Sequence, residues 1–252
     1  MFDIYIGIDY SGAQNPVSRL KTLQVYAASP RHAPKKVLPP CDKQPLRWTR
    51  KKIAEWLIQK SQNDELFIAG IDHAFSMPSS YLARYRLANW DDFLDDFCKH
   101  WQTDKDDARV DDFRKHNKRI GDKSEFRLTE KWTSSAKSVF EFDVPGQVAK
   151  STHAGIPWLR HMRQRSGDKI HFFPFDGWDI PKGKSVIAEV YPSLFSQRYP
   201  IEVRTTDEHD AYSVARWLSD ADQSGFLSRY LRPALTDDEK RIARKEGWIL
   251  GL

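Results

Sequence analysis

The sequence predicts an α/β fold, a mixed sheet with helices on both faces. Three observations support that class. Short runs rich in β-branched and aromatic residues alternate with segments of helical period. Three of these runs carry an isolated carboxylate at or near their C-terminal end. The 252-residue chain is 40% hydrophobic, with 9 Trp, 9 Tyr and 14 Phe, which is enough to build a substantial core and argues against global disorder.

Residues 2–9 read as a buried strand that presents Asp9 and stops at Ser11-Gly12. Strands over 23–28 and 36–38 complete an antiparallel meander before Pro39-Pro40. Thr49 caps a helix in which Ile53, Trp56 and Leu57 share a face. Residues 65–71 form the next apolar strand and deliver Asp72. The helix crossover before it makes this strand parallel to its partner.

From 77 to 130 the pattern turns helical. Trp90, Phe93, Leu94, Phe97 and Trp101 recur at helical spacing, with Asp91, Asp92, Asp95 and Asp96 on the remaining positions. The segment is expected as a helical insertion within a single domain spanning 1–252. A further helix is expected to start at Pro157, a favoured first helical residue, and to stop at Gly167. Residues 169–173 and 185–191 read as strands, the second carrying Glu189. A helix over 208–222 buries Ala211, Val214, Ala215 and Leu218. A short charged helix over 237–245 begins after Thr236, a good N-cap.

The net charge is +5. Residues 1–60 hold 11 Lys and Arg against 4 Asp and Glu, giving +7; residues 61–112 hold 5 against 12, giving −7; residues 113–169 hold 13 against 6, giving +7. Two basic segments thus flank an acidic one. The alternation suits a surface that holds phosphates beside a metal site, and equally suits ordinary solvated charge. No stretch approaches the ~18 uninterrupted apolar residues of a membrane span, and the N-terminus lacks the basic region of a signal peptide. Cys41 and Cys98, the two cysteines, suggest neither a disulfide framework nor a zinc motif. They fit a reducing, cytoplasmic setting.

The carboxylates Asp9, Asp72 and Glu189 each sit in an apolar strand context, where a charge is costly unless it is paired or binds a cation. Sites in open α/β sheets form at the carboxyl ends of parallel strands, where Asp9 and Asp72 would meet. Asp207 and Asp210 lie three apart near the start of a helix and share a face. Asp207 also suits the N-cap of that helix; Asp210 is better placed to point into a site. His73 and His209 adjoin these positions and could move protons, although a lone histidine is more often structural. Lys150, Thr152, Arg160 and Arg163 combine a helix start with basic side chains, which suits phosphate binding. Ser11 and Gly12 could let backbone approach a phosphate after the first strand.

The runs IGIDYSG, AGIDHAFS, AEVYPS and DEHDAYSVA, in that order, resemble an uncharacterised family of predicted nucleases with a ribonuclease H-like fold, distantly similar to RuvC resolvases. The resemblance spans residues 4 to about 218. It implies a mixed five-stranded sheet, with Asp9 on the first strand, Asp72 on the fourth, Glu189 on the fifth and Asp210 on the last core helix. Such a cluster supports two-metal hydrolysis of phosphodiesters in DNA or RNA, and its hard oxygen ligands select Mg²⁺ or Mn²⁺. Two other readings remain at this level. One is a nucleotide-binding phosphotransferase or ATPase of the actin and sugar-kinase type, although such proteins duplicate the core. The other is a non-catalytic nucleic-acid-binding or scaffold protein that kept the fold.

Overall fold

The structure, a computed structural model, describes residues 2–40, 44–63, 65–133, 135–143 and 148–252. Cys41 lies outside these residues. Among them a mixed sheet has six strands: β1 (Ile4–Asp9), β2 (Gln24–Ser29), β3 (His32–Lys36), β4 (Phe67–Ile71), β5 (Ile170–Phe173) and β6 (Ser185–Glu189). Their order is β3-β2-β1-β4-β6-β5. β1, β2 and β3 form the antiparallel meander, and β4, β6 and β5 continue the sheet parallel to β1.

The α/β class and mixed sheet therefore match the sequence reading, with six strands instead of five. Ile170–Phe173 is buried at every position. Such a run belongs inside a covered parallel sheet, so it pairs with β6 and occupies the far edge. Glu189 accordingly lies on the sixth strand. The third strand sits earlier than expected, at 32–36 and not 36–38. It is an edge strand, where Pro34 is tolerated because one row of N–H groups is unpaired.

Each face of the sheet carries its own core. Ile6, Ile8, Ala69, Ile71 and Ile187 point to one face, against helices α1 (Arg50–Ser61), α3 (Trp90–His100) and α6 (Val148–Arg165). Tyr5, Ile68, Val186, Ala188 and Val190 point to the other, against α7 (Thr206–Gln223). Between β4 and α6 the chain forms α2 (Ser79–Arg84), α3, α4 (Val110–Arg114) and α5 (Leu128–Trp132); α8 (Leu227–Tyr230) and α9 (Asp237–Glu246) close it. Thr49 and Thr236 cap α1 and α9 through their side chains, as their sequence positions suggested.

Two helices differ from expectation. α6 begins at Val148, so Pro157 lies inside it and not at its start. A proline there leaves the carbonyl four residues back without its helical partner. The buried hydroxyl of Thr103 donates to that carbonyl, His153 O, at 2.6 Å, and repairs the break from outside the helix. The N-cap of α7 is Thr205, not Asp207. Thr205 and Glu208 form a reciprocal capping box, which leaves Asp207 in the first turn and free to face outward. Among the described residues no helix is long and apolar enough to cross a membrane.

Candidate functional site

The register of the parallel strands decides which carboxylates meet. Ile8 pairs with Ile71, and Ile71 with Glu189. The next row holds Asp9 and Asp72, and the Asp72 amide donates to Ile8 O at 3.0 Å. Alternation sends Asp9 and Asp72 to the α7 face, with Tyr5, Gly7, Ile68 and Gly70. On that face α7 lies unusually near. A Cβ on Gly7 would stand 2.0 Å from Ala211 O and 2.7 Å from Ala215 N, so only glycine admits the helix backbone. The small residues Ala211 and Ala215 complete the contact from the helix side. This close approach brings Asp207 and Asp210 over the strand ends.

Asp9, Asp72, Asp207 and Asp210 consequently line one cleft of about 560 Å³, together with Ser11, Gly12, Thr22, Lys150 and Ser193. Among the described residues none of the four carboxylates has a hydrogen bond or ion pair. Burial raises the Asp9 carboxyl well above its ordinary range, and Asp72, Asp207 and Asp210 push it further. Asp72 is pushed up to about 8 by burial and then by Asp210 and Glu189. Asp207 and Asp210 are raised as well, chiefly by burial. Among the described residues, no three His, Cys, Asp or Glu groups stand ready as a ligand set in their present positions.

Glu189 does not join them. It stands one residue out of step with Asp9 and Asp72, and a one-residue offset sends a side chain to the opposite face. There its carboxylate accepts from both Arg127 nitrogens, at 2.7 and 2.6 Å, and from Phe75 N at 3.2 Å. Arg127 also donates to Glu130 at 2.8 Å and to Glu246 O at 3.1 Å. Arg127, Glu130, Glu189 and Glu246 are all buried. Burial works against the Arg127 charge, but Glu189 and Glu130 outweigh it and hold the guanidinium above its ordinary value. Glu189 therefore anchors α5 and the C-terminal segment to the sheet, with its oxygens already occupied. Sequence spacing could not reveal this, because Arg127 is 62 residues away.

The basic residues divide in the same way. Lys150 and Ser11 line the cleft; Lys150 reaches Asp111 at 2.7 Å, and the Ser11 hydroxyl accepts from Thr22 at 2.9 Å. Thr152 is fully buried, accepts from Ala74 N at 3.1 Å and does not line the cleft. Arg160 and Arg163 lie ten and thirteen residues beyond Lys150, about 15–20 Å along the helix. Arg160 pairs with Asp95, and Arg163 with Asp91 and Asp176. The acidic face of α3 thus meets the basic face of α6, and the charge alternation that suggested phosphate binding is satisfied here within the molecule. Arg163 lines a separate cavity of about 560 Å³, with Trp90, Phe175, Arg241 and Lys245.

Both flanking histidines bond to backbone carbonyls. His73 is buried, bonded to Ala74 O and lowered to about 4 by burial, so it stays neutral. His209 Nε2 bonds to Ser196 O. Gly12 is needed for a different close approach from the one expected: a Cβ there would stand 2.1 Å from Lys150 O, at the start of α6. Arg50 was not foreseen. Buried, it donates to the carbonyls of Ser11, Ala13 and Gln14 at 3.1, 2.7 and 2.9 Å, and it fixes the loop that leaves β1 for the cleft. A basic residue at the start of a helix reads as solvated surface, so sequence offered no signal for it.

Comparison of the chain with protein-family models, with curated proteins and with solved structures gives no match.

Proposed function

We propose that this protein is a divalent-metal-dependent nuclease that hydrolyses phosphodiester bonds in the cleft lined by Asp9, Asp72, Asp207 and Asp210. One observation carries the reading: four carboxylates share one partly enclosed cleft, and none has a hydrogen bond or ion pair among the described residues. Leaving them charged and uncompensated is costly unless a cation joins them. The donor set consists of hard oxygens and would carry a charge of −4 once fully ionised, which fits Mg²⁺ or Mn²⁺. Asp9 and Asp72 would hold an ion from the strand ends, and Asp210 and Asp207 from the first turns of α7.

When bound, divalent ions supply Lewis-acid activation of water and neutralise charge at the departing oxygen. The chain's own contribution is positioning. Hydrogen-bonded strand ends fix Asp9 and Asp72, and the capping box fixes the helix start that carries Asp207. Lys150 stands at the rim in an exposed ion pair with Asp111, and a phosphate entering the cleft would compete with Asp111 for it. Glu189 is left out of the ligand set. The strand order, a three-strand meander followed by parallel strands joined to β1, supports a ribonuclease H-like reading of the fold, with β5 as an added edge.

The test is a panel of labelled single-stranded, duplex, hybrid and junction substrates with Mn²⁺, run with wild type and Asp72→Asn. Cleavage by wild type that Asp72→Asn abolishes is the expected result. Absence of cleavage across the panel would overturn the proposal.

A further inference from the structure

The carboxylate cleft has a neighbour across Asp207. A second cavity of about 540 Å³ shares Thr22 and Asp207 with it and lies where β2 begins and β3 ends, at Gln24 and Lys36. Gln24, which opens β2, pairs directly with Asp9 and lines this second cavity. The two cavities therefore adjoin at Thr22 and Asp207.

The walls of this second groove differ from those of the cleft. Leu20, Leu23, Val37, Leu38, Leu46 and Trp48 make an apolar lining, and Leu38 is 50% exposed within it. Three cations, Lys21, Lys36 and Arg47, join that lining. Lys36 pairs with Glu208, while Lys21 and Arg47 have no ion-pair partner among the described residues. A solvated apolar side chain beside cations that have no ion-pair partner among the described residues, next to the carboxylate cleft, suits the alternation of base and phosphate along a nucleic-acid strand.

Building on the nuclease reading, we propose that this groove takes an unstacked nucleobase next to the phosphate held in the cleft, so that the substrate is single-stranded or locally unpaired. The volume falls in the roughly 300–1,000 Å³ range of small-ligand pockets. A base inside a duplex keeps both faces stacked and cannot enter such a recess without being extruded. A single strand presents the base freely, and the exposed apolar side chain of Leu38 can cover a base face whatever its identity. Lys21 and Arg47 then neutralise the phosphates on either side, which makes binding salt-dependent.

The experiment measures fluorescence anisotropy of labelled oligothymidylate, of the same strand with a central abasic site, and of a duplex of equal length. Binding is measured in Ca²⁺ buffer with wild type, Leu38→Asp, Arg47→Glu and a distant control, Arg244→Glu. Both groove positions are at least partly exposed, so the variants should fold; circular dichroism checks this. The single strand should bind more tightly than the duplex. The abasic strand and Leu38→Asp should weaken binding by about tenfold, the order expected for one lost base contact, and Arg47→Glu by a similar factor through a lost phosphate contact that also lowers the salt slope, while the control binds as wild type. Equal affinity of all four proteins, or tighter binding of the duplex, would overturn the proposal. Cleavage is followed separately with Mn²⁺. Tight single-strand binding without cleavage would sink the nuclease reading and leave the groove standing; cleavage with unaltered affinity in both variants would do the reverse.

Discussion

Arg127 holds Glu189 by a two-pronged ion pair of 2.6 and 2.7 Å, with both partners buried. Removing one member of such a pair strands the other. Arg127→Met should cost roughly 3–5 kcal/mol in urea denaturation, because Glu189 and Glu130 both lose their counter-charge. Adding Glu189→Gln to that variant should recover part of the loss. Glu189→Gln alone should keep the metal-induced stabilisation described next, and its loss there would return Glu189 to the ligand set.

Metal binding should be visible in stability. At a hundredfold excess over its dissociation constant, one bound Mn²⁺ adds about 2.7 kcal/mol. Asp9→Asn removes one charge from the cluster at nearly constant shape. In EDTA the variant should melt at or above the wild-type temperature, and its shift with Mn²⁺ should shrink. A variant strongly destabilised in EDTA, beside a wild type that ignores Mn²⁺, would show Asp9 to be a structural residue.

The same cluster sets a pH dependence of definite sign. Burial, Asp210 and Glu189 push Asp72 up to about 8, against about 3.9 in an unfolded chain. The folded protein therefore keeps a proton that the unfolded chain releases. That stabilising contribution is complete below about pH 4 and is lost as pH rises through about 8. Metal-free wild type should lose stability relative to Asp72→Asn across this window. Saturating Mn²⁺ should flatten the difference, because the ion replaces the proton. Parallel curves for the two proteins in EDTA would show that Asp72 is not the titrating group.

Gly7→Ala tests the close approach of α7. The added methyl meets backbone at Ala211 and Ala215, which cannot turn aside as a side chain can. The helix must shift, at a cost of about 1–3 kcal/mol or more. Because α7 carries Asp207 and Asp210, the Mn²⁺-induced melting shift should fall as well. A stable Gly7→Ala variant with a full metal response would show that the helix position is not needed for binding.

Arg163 gives the contrary expectation. Its charge is consumed by Asp91 and Asp176. Arg163→Met should lower stability yet leave oligonucleotide affinity and its salt slope unchanged. A reduced salt slope would show that this arginine reaches phosphate.

The strand-end carboxylates Asp9 and Asp72, the apolar small-residue face of α7 and the caps at Thr49 and Thr236 were legible in the sequence. Each depends on neighbours within a few positions, where period and residue type suffice. The alternation in charge along the chain was also real, but its meaning was not local. Asp91 and Asp95 on α3 face Arg163 and Arg160 on α6, so charges that looked available for phosphate neutralise one another.

The sequence by itself determined that acidic side chains stand at the ends of apolar strands and at the start of a helix. Only the tertiary structure decided which of them meet. Glu189 and Asp72 have nearly the same local context, an acid in a buried strand, and differ by one residue in register. In a pleated sheet one residue reverses the face, so Asp72 turns toward α7 and the cleft while Glu189 turns to Arg127. Register is a property of two strands together, and so are the close approach of Gly7 to Ala211 and the reach of Arg50 to the loop after β1. No reading of one segment at a time contains them.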